Sequence, residues 1–187
     1  MNNSHTFLAK LIHWTFIPLY AYGIFKQVDN LNELEDPSLL NFEILFAIVF
    51  LIIVLLRYLY MKDTPALLGA DSDVHKGHLF IAKMVHRLVY FSLIMLPTTG
   101  LLIAALFSLE TGGVEVDIAI HEFSAFLSYV VIAMHVGATF YSRFKGEGMW
   151  NAMVPVLLET GKKESNLIEK LEALENKVYD KVEDTFT

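Results

Sequence analysis

The chain of 187 residues contains no cysteine, which excludes disulfides and thiolate-ligated metals. Long stretches also lack charge. No Asp, Glu, Lys or Arg occurs from 88 to 109, and "FSAFLSYVVIAMHVGATFY" (123–141) has none either. Basic residues alone are missing from "QVDNLNELEDPSLL" (27–40) and "ETGGVEVD" (110–117). No internal repeat or low-complexity tract is visible, and a net charge of −7 gives nucleic-acid binding no support. The first apolar stretch holds His13 and Pro18 and lacks a small-residue cleavage pattern, so no cleavable signal peptide is expected there.

What is present is apolar and segregated. The sequence is 55% hydrophobic with 14 Phe, above the ~45–50% of a soluble domain. To the two charge-free stretches are added "LIHWTFIPLYAYGIF" (11–25), apolar but for His13, and "ILFAIVFLIIVLL" (44–56). With their flanks, each approaches the ~20 residues of a spanning helix. The fold expected is all-α: a transmembrane four-helix bundle with helices over roughly 7–26, 39–60, 80–108 and 119–142. Arg57, Lys62, Lys76, Lys83 and Arg87 surround the loop after the second helix, and Arg143 and Lys145 follow the fourth. The positive-inside rule therefore places both termini and that loop in the cytoplasm, and the two acidic loops outside.

Two domains are expected: a transmembrane domain over 1–145, and over 146–187 an interfacial segment followed by a cytoplasmic helix. In the first part of the latter, "GEGMWNAMVPVLL" mixes Trp, Met and apolar residues and suits the cytoplasmic interface. From Glu164 on, Leu167, Leu171, Leu174, Val178 and Val182 recur at helical spacing among charges. That spacing predicts an amphipathic helix that packs on its own protein or pairs weakly.

The histidines carry the functional signal. "HEFSAFLSYVVIAMH" has His121 and His135 at its ends. Fourteen residues are four helical turns, so both imidazoles share one face, ~21 Å apart. With the N-terminus inside, His13 lies about two turns in from the cytoplasm, at the depth of His135. Two neutral imidazoles at one level on facing helices suit the axial positions of a haem iron. The plainer reading of each is a hydrogen-bonded interhelical residue. Ala125 and Ser128, with Ser124 beside them and Gly137 and Ala138 following, leave room for a macrocycle or simply let helices approach. His86, at the cytoplasmic level, is a further ligand or, with that iron already complete, a hydrogen-bond partner of a haem propionate or quinone. Arg57 is a second propionate candidate or a plain positive-inside anchor. His5, His75 and His78 fall outside the spans and are expected to be solvated.

"LIHW" in the first helix, "HRLVYFSLIMLPTTGLLI" in the third and "HE" with a second His fourteen residues on resemble the bacterial cytochrome b561 family. Its relatives include the membrane cytochrome b subunits of nickel–iron hydrogenases. The resemblance covers about 7–145 and leaves out the C-terminal 40 residues. It implies a four-helix bundle with an inner haem b held by His13 and His135. An outer haem would take His121 from the fourth helix and a ligand fourteen residues before Arg57 in the second. That position is Glu43, and the family's histidine is absent. The outer haem is then missing, or it is held by His121 with Glu43, a Met or water as sixth ligand. A second metal at the Glu43–His121 level, or proton relay between the two, are the other readings.

The resemblance implies a multi-pass protein of the bacterial inner membrane, carrying electrons between the quinone pool (ubiquinone or menaquinone) and a redox partner. It is an electron carrier or a quinone-linked oxidoreductase; within the family some members oxidise quinol for a partner dehydrogenase and some pass electrons from superoxide to ubiquinone. A homo- or hetero-oligomer is compatible with this. Two non-redox rivals remain. One is a metal or ion transporter using Glu43, His121, His135 and His13 as a polar path, for which four helices are few. The other is an anchor subunit whose tail recruits a cytoplasmic partner.

Overall fold

The second helix shows how local chemistry starts an element. Asp36 accepts hydrogen bonds from Ser38 N at 2.9 Å and Ser38 Oγ at 2.8 Å, and Pro37 occupies the first helical position. The N-cap satisfies a donor that the helix leaves orphaned, and proline has no donor to lose there. The Ser38 hydroxyl and backbone amide hold the Asp36 carboxyl below its ordinary pKa.

A computed structural model describes residues 5–26, 28, 30–62, 76–110, 113–147, 149–154, 156–159, 161 and 165–186. Among these, 88% are helical and none is in a strand. The elements are α1 (Phe7–Phe25), a 3-10 turn (Leu31–Glu35), α2 (Pro37–Met61), α3 (Lys76–Ser108), α4 (Val114–Lys145), α5 (Met149–Met153) and α6 (Asn166–Phe186). The third and fourth helices begin four and five residues before their expected starts at 80 and 119. Glu115 and Asp117 in the first turn of α4, and Arg143 and Lys145 in its last, favour that extension by opposing the helix dipole.

Three helices, α2, α3 and α4, are long and apolar enough to cross a membrane. At ~1.5 Å per residue they run ~37, ~50 and ~48 Å, against a hydrocarbon core of ~30 Å. The 19 residues of α1 are interrupted by Lys10, His13, Pro18 and two tyrosines.

The chain forms two compact units, the first of residues Phe7–Thr64 and Leu88–Val130. In it, α1 and α2 make an antiparallel hairpin sealed by aromatic rings: Phe16 lies 4.9 Å from Phe50, and Tyr22 5.7 Å from Phe46. Ala9, Phe16, Phe50 and Val54 are buried, while Leu45, Ile48, Ile52 and Leu56 on the other side of α2 are exposed. Such an outward apolar face suits lipid, which solvates it as well as protein would.

The second unit comprises Met1–Thr6, Pro65–Arg87 and Val131–Thr187. In it, α5 folds back on the end of α4. Trp150 is buried 5.2 Å from Phe140, lies under the Arg143 guanidinium and donates its indole N–H to the Val156 carbonyl at 3.0 Å. The chain from 156 to 158 leaves three apolar side chains, Val156, Leu157 and Leu158, exposed.

Helix α6 corrects two expectations. It does pack on its own protein, but not by its leucines: Leu167, Leu171, Leu174 and Val178 are all exposed. The packed side is Ile168, Glu175, Tyr179 and Glu183. Nor is His78 solvated. Its ring is 17% exposed, lies 2.7 Å from the Tyr179 hydroxyl and is stacked edge-on against that ring. The polar contacts outcompete the leucine face because Lys145, at the end of α4, offers Glu175 a bond at 2.8 Å, and Gly77 admits the backbone. A Cβ on Gly77 would run into the Tyr179 carbonyl oxygen. His5 is half-buried, with its amide bonded to the Ala152 carbonyl at 3.2 Å, and His75 lies outside the described residues.

Candidate functional site

The two hairpins fix which residues share a level. In α1–α2, Tyr20 faces Phe50 across the 3-10 turn, so by the same register His13 is level with Arg57. The guanidinium of Arg57 donates to the Ala9 carbonyl at 3.4 Å, one turn from His13. It also hydrogen-bonds Tyr90 of α3, whose ring stacks edge-on with Tyr58 at 5.3 Å. His13 itself is half-buried, with Trp14 edge-on at 6.3 Å.

In α3–α4 the turn is made at Glu110, which takes a left-handed φ of 51°. Residues at nearly matching distances from it along the two helices meet. His86 and His135, 24 and 25 residues away, are one such pair: their rings lie 5.0 Å apart, edge to face. His86 Nδ1–H donates to the Ala82 carbonyl at 2.7 Å, which fixes that ring's tautomer and leaves Nε2 as the acceptor nitrogen.

Thr99 and His121 are the second pair, with Thr99 Oγ1 2.9 Å from His121 Nδ1. Thr99 Oγ1 also lies 2.8 Å from the Met95 carbonyl. Gly100 borders the same ring, where a Cβ would make an ordinary contact 3.5 Å from His121 Cε1. The segment "LPTTG" (96–100) thus has a local reason at two positions: Pro97 breaks the helical ladder and Thr99 bonds the imidazole.

Glu43 does not wait for a ligand. It forms an ion pair with Lys26 at 3.3 Å, and that ammonium also sits 4.2 Å above the Phe42 ring. On the small-residue face of α4, Ser124 and Ser128 are buried, and Ser128 Oγ is 2.7 Å from the Tyr20 hydroxyl. In this part the small residues serve helix approach. Gly137 is exposed and, about 200° around the helix from His135, lines no part of that imidazole's face.

Of the residues expected at the inner level, His86 and His135 are in contact, while Arg57 bonds α1 one turn from His13. His121 and Glu43 are each engaged by a side chain that sequence reasoning passed over, Thr99 and Lys26. The hairpin register was the available signal, since Thr99 and His121 stand eleven residues to either side of Glu110. Among the described residues no three His, Asp or Glu side chains converge as a metal site.

A family model, prokaryotic cytochrome b561, matches residues 4–156. No curated protein and no solved structure matches the chain.

Proposed function

The chain belongs to the prokaryotic cytochrome b561 family, membrane b-type cytochromes of electron transfer that bind haem b, and within it we propose that His13 and His135 are the axial ligands of one inner haem. What supports the proposal is the depth that the Lys and Arg distribution gives the helices: with both termini inside, His13 and His135 stand at one cytoplasmic level. Within one unit Arg57 bonds the Ala9 carbonyl a turn from His13, and within the other His86 packs on His135. The donor set suits haem b: imidazoles on separate helices, no thiolate, and a guanidinium nearby of the right geometry for a propionate. Haem, when bound, supplies the one-electron chemistry. The chain's part is to supply neutral imidazole nitrogens, a dry surround and a cation for propionate charge. His86 then acts beside the ligand, its Nε2 lone pair placed to accept from a quinol hydroxyl.

At the outer level, His121 Nδ1–H donates to Thr99, whose own hydroxyl proton goes to the Met95 carbonyl. This presents Nε2 as the lone-pair nitrogen, the form a ligand needs. With Glu43 held by Lys26, His121 has no matching sixth ligand from α2, so the outer position is empty or weakly ligated. Electron exchange with the quinone pool and a redox partner, α1 as a fourth span, both termini inside and the bacterial inner membrane complete the reading. They rest on the family and on the distribution of Lys and Arg.

The test is spectroscopic. The purified protein reduced with dithionite should show low-spin haem b bands, and either His13→Ala or His135→Ala should abolish them. A bis-histidine spectrum kept by both variants would refute the assignment. A periplasm-active reporter fused after Thr187 should be silent; a bright signal would reverse the orientation and with it the depth argument.

A further inference from the structure

Helix α6 lies beyond the family match, which ends at residue 156, and its apolar stripe is covered by nothing in the second unit. Leu167, Leu171, Leu174 and Val178 are 66%, 41%, 58% and 51% exposed. We propose that this stripe docks on the bilayer leaflet at the end of α4 that carries Arg143 and Lys145, with anionic lipid headgroups as the preferred partner.

The argument is the order of side chains around the helix. At ~100° per residue, α6 divides into four quarters. The stripe of Leu167, Leu171, Leu174 and Val178 occupies one. A quarter turn to one side are Ile168, Glu175 and Tyr179, which hold the helix to the ends of α3 and α4. A quarter turn to the other side are the helix's three lysines, Lys170, Lys177 and Lys181, all exposed. Opposite the stripe are Glu169 and Asp180, also exposed. A helix lying on a membrane beside its own bundle needs that arrangement: apolar side chains down, one flank on protein, ammonium groups at headgroup level, carboxylates toward water.

Position agrees with periodicity. Glu175 bonds Lys145, the last residue of α4, and Tyr141 one turn earlier at 3.2 Å. Phe80 and Phe186 stack at 4.7 Å, and Lys76 pairs with Glu183 at 3.4 Å. The helix is thus fastened at its middle and C-terminal end to segments continuous with spans that are long and apolar enough to cross the membrane. Holding α6 there makes its insertion intramolecular, so even a short stripe suffices. A second copy of this chain fits the same stripe less well, because Lys181 continues the leucine register where a coiled-coil seam would need an apolar residue.

The absence of native cysteine allows a direct test on the full chain in liposomes. Leu171→Cys on the stripe and Asn176→Cys on the water side are each labelled with an environment-sensitive fluorophore. Leu174→Cys repeats the stripe position in case position 171 perturbs the helix. The stripe labels should be quenched by shallow doxyl lipids and shielded from iodide, and the label at 176 should behave in the opposite way. Replacing Lys170, Lys177 and Lys181 by Gln should weaken docking on vesicles containing phosphatidylglycerol by about fivefold per lysine, with little change on neutral phosphatidylcholine. Equal iodide access at the two faces would overturn the proposal. So would shielding of the stripe that disappears on diluting the protein in lipid, which would assign the stripe to a second copy.

Discussion

The two halves of α4 use their polar residues differently. In the N-terminal half, the outer one in the proposed orientation, every polar side chain of the small-residue face has a partner within the protein: His121 has Thr99, Ser128 has Tyr20, and Ser124 bonds the Ile120 carbonyl at 2.7 Å. In neighbouring α2, Glu43 has Lys26. In the inner half, His135 packs against a second imidazole, His86, which has already committed its Nδ1–H to a backbone carbonyl. A polar group within a membrane span is costly unless paired. The outer half meets that cost with hydroxyls and an ion pair, a solution that stands without a cofactor. The inner half brings together two imidazoles, the side-chain type suited both to a metal and to hydrogen bonding.

The sharpest way to break this contrast is to give the outer half what it lacks. Glu43→His should raise the haem content from about one per chain toward two, because the position is fourteen residues before Arg57 and already level with the outer end of α4. The same substitution removes the Lys26 pair, so a failure to gain haem with Lys26→Met also in place would show that His121 cannot act as a ligand.

A smaller effect is expected at the anchor of α6. Gly77→Ala drives a methyl into the Tyr179 backbone and should loosen the helix by about 1–3 kcal/mol, read as faster hydrogen exchange in Asn166–Phe186 with the haem spectrum unchanged. Acid should act on the same contact. Burial pushes the Glu175 carboxyl up, but hydrogen bonds from His78, Lys145 and Tyr179 outweigh it and hold it at about 2, below the ordinary 4.5. The sign follows: the contact contributes fully above pH 4.5 and is lost as pH falls from there toward 2. Exchange protection of α6 should be flat near neutrality and decline only in that acid window; a decline that begins near neutrality would contradict the assignment to Glu175.

The smallest effect concerns the outer half again. Tyr20→Phe removes the bond to Ser128, and hydrogen bonds between membrane helices average about 0.6 kcal/mol. Ser128 keeps its own bond to the Ala125 carbonyl at 2.7 Å, so unfolding in detergent should shift by no more than that.

Much of this was legible in the sequence. Charge-free runs located the helices, since a bilayer admits little else, and the C-terminal leucine spacing located α6. What spacing could not give was the choice between faces. The leucines of α6 look like the packing side on any helical projection, and they lose to a glycine-enabled contact and a Lys–Glu pair. His78 was hidden for the same reason: its neighbours in sequence are lysines and a glycine, and the partners that cover it are 97 and 101 residues away. Glu43 read as a vacancy because its expected partner was a histidine, whereas Lys26 stood at the matching height across the 3-10 turn.

The most direct test of the account is haem stoichiometry by pyridine haemochrome, read with the low-spin spectrum, in wild type, His121→Ala and His135→Ala. The account predicts about one tightly bound haem in wild type, retained with a bis-histidine spectrum in His121→Ala and lost in His135→Ala. Two tightly bound bis-histidine haems in wild type, or loss of the single haem in His121→Ala with retention in His135→Ala, would contradict it.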